Sequence, residues 1–132
     1  FFNFIIATPY QYTYLNIFNG NKVNHYNKFE NDYWGGSIKE LIKKMNLPKN
    51  KQFNFAICGV SKAAPKFYLK KFGYINFSMG NSSNSEFIIM TNRATPSNEP
   101  GKLTNCFNKF KGKNIYKVSR NGVDLSIVRK IN

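Results

Sequence analysis

The sequence predicts an α/β chain of the α+β kind, with a mixed sheet of about five strands, helices packed on it and a β-hairpin at the C-terminal end. Three observations carry this. Short apolar runs at 53–59, 74–79 and 86–91 are bounded by Gly, Lys or polar clusters, as core strands are. Segments with helical spacing precede or separate them at 37–46 and from Ser61 or Ala63 onward. Near the end, Asn121-Gly122 splits two strand-like runs, and Asn-Gly permits positive φ at both turn positions.

Taken in order, Tyr10, Tyr12 and Tyr14 recur at period two, which suits an extended segment with rings on one face. Asn19-Gly20-Asn21 is a turn signal. Ser37 and Glu40 have capping-box spacing, and Ile38, Leu41, Ile42 and Met45 follow at helical spacing, so a helix is expected over 37–46, ended by Pro48. Residues 53–59 read as a core strand. The second helix tolerates Pro65 in its first turn, carries Lys70 and Lys71 near its negative end and stops at Gly73.

Residues 74–79 read as a strand, 80–85 as a loop and 86–91 as another strand. Pro96 and Pro100 make 92–101 irregular. A short helix is expected over 102–110, with Leu103, Cys106, Phe107 and Phe110 on one face and Gly112 closing it. The hairpin joins 115–119 to 123–130, where Val123, Leu125 and Ile127 alternate with Asp124 and Ser126.

At 132 residues, with 42% hydrophobic and 17% aromatic content, the chain has material for one packed core and reads as a single soluble domain over 1–132. No run approaches the roughly 20 apolar residues that span a bilayer. The start at Phe1-Phe2-Asn3-Phe4-Ile5-Ile6-Ala7 reads either as a core strand or as the tail of a membrane helix, so the domain is expected to be a fragment following a membrane-spanning region.

Twenty Lys and Arg against six Asp and Glu give a net charge of +14, which favours a polyanionic neighbour: an anionic membrane surface, a phosphorylated lipid or nucleic acid. Codons rich in A and T account for abundant Lys, Asn, Phe, Tyr and Ile, but they supply Glu and Asp as well, so the shortage of acids needs another cause. Cys58 and Cys106 are expected as buried free thiols, with a single disulfide as the alternative in an oxidising compartment. Two Cys and one His make a Cys/His zinc site unexpected, and no metal or other cofactor is expected.

The sequence has no GxGxxG and no GxxxxGK[ST] loop, and neither Ser61 nor Cys58 lies in a nucleophile-elbow pattern. No catalytic residue is assigned. Glu30 and Asp32 form the one local acidic pair, beside Tyr33 and Trp34, and carboxylates with aromatic faces suit sugars. The competing account makes Tyr33 and Trp34 core anchors. Lys66, Phe67, Tyr68, Lys70, Lys71 and Phe72 interleave cations with rings, as do Lys109, Phe110, Lys111 and Lys113, which is the chemistry of nucleic-acid binding. At helical spacing such rings are expected to face the core, with Lys solvated, and only Arg93, Arg120 and Arg129 are arginines, so nucleic acid is the lesser alternative.

Pro9-Tyr10-Gln11-Tyr12-Thr13-Tyr14-Leu15-Asn16 followed by Phe29-Glu30-Asn31-Asp32-Tyr33-Trp34-Gly35-Gly36-Ser37-Ile38-Lys39-Glu40-Leu41 resembles the soluble C-terminal region of polytopic membrane glycosyltransferases of the dolichyl-phosphate-mannose–protein mannosyltransferase type. The resemblance is confined to these two runs, in the family's order and spacing, and departs at Thr8, where the family pattern has His. It implies a non-catalytic, extracytoplasmic (periplasmic) domain, whose partners are the parent transmembrane region, the anionic membrane surface or a lipid-phosphosugar carrier. Tyr10, Tyr12, Glu30, Asp32, Tyr33 and Trp34 are the ligand-binding candidates. The alternative is a stand-alone basic module for nucleic acid or glycan.

Overall fold

The structure, a computed structural model, describes residues 35–131. The expectations for Tyr10 to Tyr14, for the turn at Asn19-Gly20-Asn21 and for Glu30 to Trp34 lie outside the described residues. The elements are α1 (Ile38–Lys44), β1 (Phe53–Cys58), α2 (Ala63–Lys71), β2 (Phe77–Met79), a 3₁₀ turn (Ser82–Asn84), β3 (Phe87–Thr91), β4 (Ala94–Pro96), β5 (Leu103–Asn105), α3 (Cys106–Lys109), β6 (Lys113–Arg120) and β7 (Val123–Lys130).

Five strands form one mixed sheet in the order β2-β1-β3-β7-β6. β1 is parallel to both β2 and β3, while β7 runs antiparallel to β3 and to β6. The predicted α+β architecture with its C-terminal hairpin is therefore what the chain builds. Its turn residues, Asn121 and Gly122, have φ of 54° and 77°, so Asn-Gly supplies the two left-handed positions that a tight hairpin needs.

Both faces of the sheet are covered, and the alternation of side chains along each strand divides the core in two. Phe53, Phe55, Phe87, Ile89, Val118 and Val128 pack against Ile38, Leu41 and Ile42 of α1 and Leu69 of α2. Ala56, Cys58, Ile88, Met90 and Ile127 face the other way, against Cys106 and Phe107 of α3. β3 is buried along its whole length, which is why its sequence, Phe-Ile-Ile-Met-Thr, does not alternate.

Several local expectations change, and of the strand expected over 74–79 only β2, Phe77–Met79, forms. The first helix spans Ile38–Lys44, and Ser37 makes no side-chain cap. Its buried hydroxyl instead donates to Ser126 Oγ at 2.6 Å, a tertiary partner that outcompetes the local one. The stretch expected to be irregular contains β4, and the helix expected over 102–110 shrinks to α3, because residues 103–105 pair with β4 as a two-stranded antiparallel ribbon. Asn105 caps α3 by accepting from the Phe107 N–H at 3.0 Å, which fixes the helix start there. In β7 the predicted alternation breaks at Leu125, the extra residue of a bulge, so Leu125 joins the core beneath α1 while Ile127 faces α3. A second, opposite bulge puts Ile115 out of register on β6 and restores the pairing.

The two cysteines are not free thiols. Cys58 ends β1 on the face covered by α3, Cys106 opens α3, and they form a disulfide with Cα atoms 5.8 Å apart. A four-residue helix and two three-residue strands bury little apolar area of their own, and this bond ties the second layer covalently to the sheet.

Candidate functional site

The charge of the molecule is unevenly placed. Residues 35–131 carry 18 of the 20 Lys and Arg but 4 of the 6 Asp and Glu, so the whole excess of +14 lies in the described domain. Three of those four acids are already engaged: Glu40 by Lys44 at 3.0 Å and Arg120 at 2.7 Å, Asp124 by Lys117 at 3.3 Å, and Glu99 by Lys102.

α2 concentrates what remains. Pro65 and Leu69, four residues apart, are buried, Leu69 in the core shared with α1 and the sheet, and Tyr68 and Phe72 are half-buried beside them. A helix with that inner face must present Lys66, Phe67, Lys70 and Lys71 outward. All four are exposed, Phe67 at 60%. Phe67 thus corrects the expectation that the rings of this stretch face the core. Lys71 Nζ stands 5.9 Å from its ring centroid and Tyr68 meets its edge at 5.2 Å, so the ring is held in place while staying in water. α1 packs alongside and adds exposed Lys39, Lys43 and Lys44 to the same outer layer. The result is a cationic face with an aromatic ring projecting from it.

The loops that follow α1 and α2 meet at Tyr74. Its hydroxyl donates to the Met45 carbonyl at 2.9 Å and accepts from the Leu47 N–H at 3.3 Å, and burial pushes the phenol above its usual range. Lys49 Nζ lies 5.8 Å from the Tyr74 ring centroid. These contacts fix how the two helices present their lysines.

Of the ligand-binding candidates, Tyr10, Tyr12, Glu30, Asp32, Tyr33 and Trp34 all lie outside the described residues. The described half of the second motif, Gly35 to Leu41, is built into the fold. Gly35 has φ of 67° and a Cβ there would stand 2.6 Å from Val60 Cγ2, so only glycine fits this entrance to α1. Ser37 is the buried tie to Ser126, and Ile38 and Leu41 are core residues.

Sequence reading missed Arg129. This guanidinium, on β7, is only 9% exposed and has no ion pair among the described residues. It donates instead to the carbonyls of Phe107, at 2.8 Å, and Phe110, and to Asn114 Oδ1 at 2.7 Å. Burial lowers its pKa from the ordinary arginine value. The carbonyls it meets are those freed where α3 ends, which no local pattern announces. Among the described residues there is no group of three or more metal-ligating side chains, and no helix is long and apolar enough to cross a membrane.

In comparisons with known proteins, no family model matches the chain, and no curated protein or solved structure matches it significantly.

Proposed function

We propose that this chain is a non-catalytic docking domain that lays its α1/α2 face on an anionic membrane surface, as the extracytoplasmic C-terminal part of a membrane glycosyltransferase using lipid-linked phosphosugars. The observation that carries the docking is the outer face of α2, where Lys66, Lys70 and Lys71 surround a 60%-exposed Phe67. Lysines gain from anionic headgroups and a projecting ring partitions into the interface below them. The Cys58–Cys106 disulfide supports an oxidising, extracytoplasmic compartment. The glycosyltransferase assignment rests on the resemblance of the two sequence runs.

Sedimentation with vesicles tests the docking. The chain is expected to pellet with phosphatidylglycerol-containing vesicles, not with phosphatidylcholine alone, and to be released by salt. Each lysine near the surface contributes about 1 kcal/mol, so Lys70→Glu lowers the partition at least about fivefold. Equal partition into neutral and anionic vesicles, or tighter salt-sensitive binding to single-stranded oligonucleotide than to vesicles, overturns this reading; the second result puts the nucleic-acid module in its place. The parent assignment has its own test: membrane helices encoded in frame upstream of Phe1 support it, and a start codon immediately before Phe1 refutes it.

A further inference from the structure

On the sheet face opposite α1 and α2, the second layer stops short and leaves a depression. One part, of about 400 Å³, is lined by Ser82, Ser83, Lys109, Phe110, Lys111, Gly112 and Ile131. A contiguous part, of about 270 Å³, shares Ser82 and Phe110 with it, has Ala56 and Ile88 of the sheet as its floor and reaches Asn81 and Lys62. Together they make one groove between the 3₁₀ turn and the segment that follows α3.

The electrostatics of this groove are one-sided. Lys62, Lys109 and Lys111 stand on its rim, and the 13 described residues that line its two parts together include no Asp or Glu. Directly behind the wall, the buried Arg129 guanidinium donates to the carbonyl of Phe110, and its Cγ lies 3.2 Å from where a Gly112 Cβ would stand. A buried guanidinium with no carboxylate beside it among the described residues adds a fixed positive field that water screens poorly. Lys109 is itself held in position, donating to the Pro96 carbonyl at 2.9 Å and standing 5.9 Å from the Phe110 ring centroid. Ser82, Ser83 and Asn81 offer uncharged donors on the facing wall.

We infer that this groove is a second binding site, for the phosphate group of a phosphorylated ligand, contacted by Lys111, Lys109 and Lys62 and by the Ser82 and Ser83 hydroxyls. Lysines bind phosphate as point charges, and hydroxyls fix its orientation. Because the sheet lies between the groove and the α2 face, this site is separate from the docking surface and does not depend on it.

Titration of the full 132-residue chain with inorganic pyrophosphate at low ionic strength, followed residue by residue by NMR, is the test. Shifts are expected at Ser82, Ser83 and residues 109–112; Lys111→Glu weakens binding about tenfold, while Lys70→Glu on α2 leaves it unchanged. A lipid source of the phosphate is read separately, from the ratio of binding to phosphatidate and phosphatidylglycerol vesicles of equal surface charge. A preference for phosphatidate that Lys111→Glu abolishes and Lys70→Glu preserves assigns the site to a phosphomonoester headgroup. Saturable pyrophosphate binding without that preference assigns it to a soluble phosphate compound. Neither response, or equal losses in the two variants, overturns the inference, whichever way the docking experiment falls.

Discussion

Arg120 Nη2 donates to Glu40 Oε2 at 2.7 Å, so the turn end of the C-terminal hairpin is tied to the first helix across 80 residues of chain. Both side chains are about three-quarters buried, and Lys44 completes the cluster from the next turn of α1. Burial alone would raise the Glu40 pKa, but the Lys44 hydrogen bond and the charges of Arg120 and Lys44 outweigh it and hold the carboxyl below its ordinary value of 4.5.

A depressed carboxylate stabilises the fold above the unfolded pKa, and that contribution is lost as pH falls through the folded pKa. Glu40→Gln is therefore expected to lower the denaturation midpoint at neutral pH, and the gap from the parent chain is expected to narrow below about pH 4.5. Urea midpoints measured at several pH values check this; a constant gap refutes the linkage.

Removing the disulfide is expected to cost more than any surface change. Cys58 and Cys106 are 48 residues apart in sequence, a loop for which chain entropy gives a loss of about 4 kcal/mol. Chemical denaturation of the Cys58→Ala/Cys106→Ala variant measures it. Amide exchange is expected to accelerate first in β4, β5 and α3, the short elements that the bond ties to β1.

Thr91 is fully buried on β3, and its hydroxyl has no hydrogen-bond partner among the described residues. An unsatisfied buried hydroxyl is a net cost of about 1–3 kcal/mol, so Thr91→Val, similar in shape, is expected to leave thermal stability unchanged or to raise it. A fall in the melting temperature by several degrees contradicts this. Nearby, Gly59→Ala has the opposite sign: φ is 87°, and the new Cβ would stand 2.4 Å from Thr91 Oγ1 and 3.1 Å from Cys106 Sγ.

Phe67 separates folding from docking. Its ring is mostly in water, so Phe67→Ala is expected to shift stability by no more than about 0.5 kcal/mol while weakening vesicle binding. Parallel thermal melts and vesicle sedimentation decide it; a large loss of stability without loss of binding contradicts the docking role.

The elements that the sequence made legible are those specified locally. Asn121-Gly122 dictates its turn through backbone conformation, α1 through its spaced Ile38, Leu41 and Ile42, and β3 through an unbroken apolar run. What escaped reading depends on partners far away. Ser37 looked like a cap because capping is a local pattern, yet its partner is 89 residues on. By spacing Leu103 belongs to an apolar helix face, yet it is 69% exposed, because ribbon pairing to Pro96 overrides the spacing. Phe67 was legible in principle: burying Pro65 and Leu69 leaves it no place but the outside. The Arg129 ties were not, since they are set by where α3 happens to end.

The two opposed bulges of the hairpin bear on how the molecule behaves when crowded. Among the described residues β6 is an edge strand, and its Ile115 bulge interrupts the ladder just where Lys113 and Lys117 are exposed. The opposite edge, β2, is three residues long. Neither rim offers a flat, uncharged template for a neighbour to extend by strand addition. A domain gathered at high density on a two-dimensional surface meets its own copies edge-on far more often than one dilute in water, so the docking proposed above would expose these rims to just the encounters that they are poorly shaped to extend.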